Sequence, residues 1–186
     1  MHGLGITSIR ALSIVTSDEP LYRETQETTT MLTRLSHSHV RFGFFEYFNH
    51  HNEPDAVKQL ANHVIEQHLP ELIDHEDCYL QMLRHALHST ARLIAHWQAV
   101  GFSHGAMNTD NMSIIGKTMD YRPFGFLGAY NPNYTCNHSD TSGRYAFNRQ
   151  PIIRLWNYYA LANALTSLLS AEQLTEVLKS TSHYCS

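Results

Sequence analysis

Between Asp77 and Val100 the apolar residues Leu80, Leu83, Leu87, Ala91, Ile94 and Trp97 return every three or four positions. That spacing puts them on one face of a long helix, and Gly101 supplies its stop. A helix of that length with a continuous apolar stripe must lie across a core, so the rest of the chain has to fold around it. A second stripe supports the same architecture. Pro54 sits at a first-turn position, Val57, Leu60, Ala61, Val64 and Ile65 share a face, and Pro70 follows the end. Pro151–Leu169 reads as a buried helix, and Ser170 with Gln173 forms a capping box for a final one. Val40, Phe44 and Phe48 recur at helical spacing and predict a short helix with Ser38 as its cap.

Strand signals lie before the helices. Ile9–Val15 predicts a buried strand, Ser17–Pro20 a turn, and Leu21–Arg34 one or two further strands. The expected class is therefore α+β, with strands first and helices after. At 186 residues, 42% hydrophobic and 16% charged, the chain suits one packed domain or slightly more. Its formal charge of -4 offers no global basic field for nucleic acid, and no apolar run is long enough to span a membrane. No secretory signal is visible, and Cys78, Cys136 and Cys185 are too scattered for a disulfide framework, which fits a reducing compartment. Fourteen histidines include His63, His68, His85, His88 and His96 on segments that read as helix. No cluster of further ligands completes a zinc set, so they read as solvated surface groups.

The chemistry concentrates in His104–Tyr121, "HGAMNTDNMSIIGKTMDY". Two short apolar runs flank Gly116-Lys117 and predict a hairpin. Folding it back carries Asp120 toward Asp110 and Asn111, a set of hard oxygen donors of the kind Mg²⁺ prefers. Asn and Asp also serve as turn residues, and spacing alone leaves both readings open. His104-Gly105 is followed by Ala106, where kinase-like phosphotransferases often carry a catalytic Asp; a carboxylate reappears at Asp110. His104 reads as an orienting, hydrogen-bonded group rather than a proton shuttle. The segment from Pro123 to Gln150 is rich in Gly, Pro, Asn and Ser, and a connection of that length in a compact domain is usually functional.

"HGAMNTDNMSI", "DYRPFGFLGAY", "NHSDTSGRYAF" and "QPIIRLWN" resemble the signature blocks of the selenoprotein O family, and "SDEPLYRET", "LTRLSHSHVRFGFFEYF" and "ARLIAHWQAVGF" resemble its upstream blocks in the same order. The resemblance reaches to about Leu169. It implies a protein-kinase-like fold, with residues 1–36 the remainder of an N-lobe and 37–186 part of a C-lobe. Within the latter fall a catalytic loop at 102–111, a metal-binding hairpin at 112–121 and an activation-like loop at 122–150. It implies transfer of AMP from ATP to Ser, Thr or Tyr hydroxyls of proteins, with Mg²⁺ or Mn²⁺. Matching blocks make Asp110 the general base, Asn111 and Asp120 the metal ligands, and Arg34, Arg41 and Asp120 the nucleotide contacts. A bacterial member would be cytoplasmic and a eukaryotic one mitochondrial.

The chain also departs from the family. Arg122 stands where the family has Gly, and Gly128 where it has Asp. No Gly-rich phosphate loop is present, and Lys58, Lys117 and Lys179 all lack the context of a strand lysine paired to a helix glutamate. The expectation is a middle piece of a larger protein, of marginal solubility, either an adenylyltransferase fragment or an inactive remnant that serves as a binding module.

Overall fold

A computed structural model describes residues 1–22, 26–121 and 123–182. Arg122 and Cys185, both singled out above, lie outside them. Two strands open the fold, β1 (Arg10–Tyr22) and β2 (Gln26–Leu35), paired antiparallel. Helices α1 (Phe42–His50), α2 (Pro54–His68) and α3 (Cys78–Ala99) follow. A two-stranded sheet of β3 (Phe102–Ser103) and β4 (Gly125–Phe126) comes next, then α4 (Gln150–Ala164) and α5 (Ala171–Ser182). The architecture is α+β, with two small antiparallel sheets and five α-helices among the described residues.

The core is the one the α3 stripe demands. Leu83, Leu87, Ile94 and Trp97 are buried, as are Val57, Ala61, Val64 and Ile65 of α2 and Tyr158, Leu161 and Leu165 at α4. α4 packs on α1 and α3, and α5 on α3 and α4. The Ser170–Gln173 box forms as expected. The Gln173 N–H donates to Ser170 Oγ at 3.3 Å, and the Ser170 N–H donates to Gln173 Oε1 at 3.0 Å.

Three local expectations are corrected. Ile9–Val15 does enter a strand, but the strand is not buried: Leu12, Ile14 and Val15 are 64%, 66% and 62% exposed, and Met31 opposite them 70%. An apolar run shows that a strand wants cover, not that cover is supplied by the same residues. Ser17–Pro20 is not a turn; β1 runs through it and absorbs it as a register irregularity between Ser17 and Pro20. In α1 the buried residues are Phe42, Gly43 and Phe45, while Phe44 faces outward. The Ser38 hydroxyl accepts from the Val40 N–H at 3.1 Å, closing a turn ahead of the helix, and the N-cap is Arg41. With aromatic residues on every side of a short segment, periodicity alone could not select the face.

Candidate active site

The site grows out of the segment that follows α3. Gly101 ends the helix at φ 68, and β3 and the loop after it run beneath α4. Two α4 side chains hold that loop from the buried side. Gln150 Oε1 accepts from the His104 N–H and Gln150 Nε2 donates to the Phe102 carbonyl, each at 2.9 Å. One turn apart twice over, Asn157 Nδ2 donates to the Met107 carbonyl at 2.9 Å. Both amides are fully buried. The backbone polar groups of an irregular buried loop have no ladder to satisfy them, and α4 provides the substitutes.

The same loop holds the two predicted metal-binding residues. Asn111 Nδ2 donates to the Ala106 carbonyl at 2.7 Å, which turns Oδ1 of that amide the other way. The His104 ring sits between Trp97 and Phe102, fully buried, with Nε2 against the Met119 carbonyl at 2.9 Å. Because a carbonyl only accepts, Nε2 carries the proton. Desolvation lowers the His104 pKa, outweighing the opposing pull of the Met119 carbonyl and Asp120, so the ring is a neutral tether for the backbone next to Asp120.

The predicted hairpin is reduced to a turn. Gly116 adopts φ 64, its N–H donates to the Ser113 carbonyl at 3.1 Å, and one antiparallel bridge joins Met112 to Thr118. A side chain at Gly116 would press on Ser89 of α3, so glycine is required here twice, by conformation and by space. Thr118 is fixed from both sides: it accepts from Trp97 Nε1 at 3.0 Å and donates to the Thr7 carbonyl at 3.1 Å. The bridge register leads Asn111 and Asp120 out of the same turn. Asp120 then takes a left-handed φ of 55, uncommon for a residue with a side chain.

The two arginines meet different ends of this segment. Arg34, from the last turn of β2, approaches the Asp120 carboxylate at 4.0 Å, with both side chains about one-third exposed. Arg41 Nη1 donates to the Asp110 carbonyl at 2.8 Å, and Arg41 also bridges Ser113. Asp110 is exposed, and its carboxylate lies so close over Gly43 that any side chain there would collide with it. A cavity of about 450 Å³ opens beside it, lined by Glu46, Tyr47 and His50 of α1 and Asn163 of α4. Asp110 and Asp120 thus face different neighbours, one toward α1 and one toward Arg34. Asn111 and Asp120 offer an amide oxygen and a carboxylate, hard donors of the kind Mg²⁺ and Mn²⁺ take.

The long segment after Asp120 is drawn back onto the loop. Asn137 Nδ2 donates to the Gly105 carbonyl at 3.0 Å, Cys136 Sγ lies 3.4 Å from the Ser103 carbonyl, and Gln98 Nε2 donates to the Phe147 carbonyl at 2.9 Å. Gly105, at φ 77, has no room for a side chain against Cys136 and Pro123. Desolvation pushes the Asp140 carboxyl up, but the Tyr145 and Arg144 N–H groups, the Ser142 hydroxyl and Arg149 outweigh it and hold it below its ordinary range. Sequence reasoning missed Gln150 and Asn157. The available signal was an amide on each side of the apolar positions of α4, which a polar surface would also produce.

The family described as "Protein adenylyltransferase SelO" matches residues 1–186. The chain is 54% identical over 179 residues to the protein nucleotidyltransferase YdiU of Yersinia pseudotuberculosis, covering 96% of this chain and 37% of that relative. It is 54% identical over 178 residues to the YdiU protein of Erwinia tasmaniensis, and 52% identical over 183 residues to that of Klebsiella pneumoniae. It spans under two-fifths of the length of these curated relatives, 37%, 37% and 38% in turn.

Proposed function

Because the chain belongs to the protein adenylyltransferase SelO family, we propose that it forms the nucleotide and metal end of an enzyme that moves AMP from ATP to Ser, Thr or Tyr hydroxyls of proteins. The fold is read as protein-kinase-like, with residues 1–36 the end of an N-lobe and 37–186 a partial C-lobe. The observation that carries the reading is the way one buried loop, held by Gln150 and Asn157, positions both Asn111 and the backbone before Asp120.

Each residue has a role its surroundings favour. Asn111 and Asp120 would hold Mg²⁺ or Mn²⁺, which would neutralise phosphate charge. Arg34 pairs with Asp120 only at long range, so its guanidinium is available to phosphate oxygens. Arg41, tied to the Asp110 carbonyl, places a second permanent cation beside the base. An acceptor hydroxyl entering the cavity next to Asp110 gives its proton to that carboxylate while its oxygen bonds to the α-phosphorus. The bond from the α-phosphorus to the oxygen bridging toward the β-phosphate breaks, and pyrophosphate leaves. The buried Gln150, Asn157 and His104 behind the loop keep the half-exposed donors fixed, and such preorganisation is where these sites gain most of their rate.

A second reading, a nucleotide-binding or scaffolding remnant without transferase activity, is favoured by the lysines. Lys58 is exposed on α2, Lys117 contacts His37, and Lys179 lies near the end of α5. Among the described residues none stands on a strand opposite a helix glutamate. The partners proposed are ATP and hydroxyl-bearing protein substrates. Nucleic acid and membrane play no part in the reading, and no described helix is long and apolar enough to cross a membrane. A bacterial member is placed in the cytoplasm. Incubation with α-labelled ATP and magnesium tests the two readings: label on protein that disappears in Asp110→Asn supports transfer, and nucleotide binding with no label in either protein supports the remnant.

A further inference from the structure

A different group of side chains converges at the far end of the Gly116 turn. Lys117 Nζ lies 2.6 Å from His37 Nδ1. An ammonium can only donate, so His37 Nδ1 accepts and Nε2 carries the ring's proton. Behind His37 is a cavity of about 340 Å³, where His63 and His68 of α2 join His37 and His39 and their rings meet edge to face, centroids 6.5 Å apart. On the other side of His37 lies a wider cavity of about 770 Å³ that adds His2 and Arg10. Neither lining includes an Asp or Glu, in a chain whose acids outnumber its Lys and Arg, 17 to 13. Among the described residues no carboxylate lies within ion-pair distance of Lys117. The charges that bear on His68, from His63, His37 and Lys117, are all of one sign.

Such a cluster raises the free energy of the empty protein as its histidines protonate, and an anion would reverse that. A metal ion would not serve. The lone pair of His37 Nδ1 is already used by Lys117, an ammonium beside a cation is repulsive, and no described set of His, Cys, Asp and Glu could hold one. Several N–H donors around two adjoining cavities that share His37 suit a compact anion with several acceptor oxygens.

We propose that His37, His63, His68 and Lys117 form a binding site for a small phosphate-class anion, separate from the Asn111–Asp120 site. Bound there, the anion bridges α2 to the 116–117 turn. Proton uptake by His68 accompanies binding, with Lys117 the remaining charge on the cluster.

Calorimetric titration of the chain with inorganic phosphate at about pH 8, and with sulfate, an oxyanion that keeps its charge, at about pH 6 and about pH 8, tests this at constant chloride, because an imidazole ordinarily changes charge between those values. The expected result is saturable binding that tightens about tenfold at the lower pH. A charged hydrogen bond carries about that much affinity, so Lys117→Gln and the double variant His63→Gln/His68→Gln should each weaken binding about tenfold or more. The double variant Arg34→Gln/Arg41→Gln separates the two sites: it removes any anion held at the nucleotide site and leaves the pH-dependent binding to be read alone. Absence of saturable binding overturns the proposal, as does phosphate binding that survives the Lys and His changes but is lost with the arginines. Should a variant unfold, the histidine ring resonances of the unmodified chain decide. Shifts of His63 and His68 on adding phosphate support the site, and unchanged rings refute it.

Discussion

Replacing Gln150 by Leu should unhinge the active-site loop while leaving the apolar core full. The side chain is fully buried and makes one bond to the Phe102 carbonyl and one to the His104 N–H, both at 2.9 Å. Leucine has similar volume but offers neither group a partner. A buried backbone group stripped of its partner costs about 1–3 kcal/mol, so two cost about 2–6 kcal/mol. Against a total stability of about 5–15 kcal/mol for a domain, that is a large fraction. Urea denaturation followed by tryptophan fluorescence reads it, since Trp97, one of the two tryptophans, is buried beside His104. The midpoint should fall with the slope unchanged. A Gln150→Leu protein within about 0.5 kcal/mol of the unmodified chain would refute the reasoning, because that is the range of an ordinary surface change.

Two further outcomes follow from the same geometry. Desolvation first, against the Met119 carbonyl and Asp120, depresses the pKa of His104 in the folded state. Above the ordinary value of about 6.5 both states are neutral and stability is full; as pH falls below it the unfolded chain takes a proton the folded one refuses, and stability drops by up to about 1.4 kcal/mol per pH unit until the folded value is reached. Urea midpoints at descending pH should show that decline and His104→Gln should lessen it, with His68 and His85 supplying the remainder in the same direction. At Asp120, whose φ is 55, Asp120→Gly should leave the chain as stable or gain up to about 1 kcal/mol, while Asp120→Ala should lose about 1 kcal/mol, as thermal or urea unfolding will report.

What could be read in the sequence was set by how local its cause is. The stripes of α2 and α3 and the Ser170–Gln173 box depend on neighbours a turn away, and they form as written. The strand at Ile9–Val15 formed, but its exposure depends on what lies across from it, which no local pattern encodes. Phe44 and Phe45 are adjacent and equally apolar, and only the docking of α1 on α4 chooses Phe45 for the core. At the site, Asp110, Asn111 and Asp120 stood out as hard donors around a turn. Gln150 and Asn157 did not, because a buried amide that serves another segment's backbone resembles a surface amide until the loop is seen beneath it. The left-handed Asp120 and the His37–Lys117 contact belong to the same class: each joins residues whose pairing only the fold creates.

Thermal unfolding with and without Mg-ATP measures whether Asn111 and Asp120 hold a metal–nucleotide complex as proposed. At about 100 times its dissociation constant a ligand adds about 2.7 kcal/mol, which for a chain of this size is a rise of about 5–10 °C in Tm. The unmodified chain should show that rise with magnesium and ATP together and not with ATP plus a chelator, and Asp120→Asn, which keeps the backbone conformation but removes the charge, should abolish it. An equal rise in Asp120→Asn, or none in the unmodified chain at saturating nucleotide, would contradict the assignment.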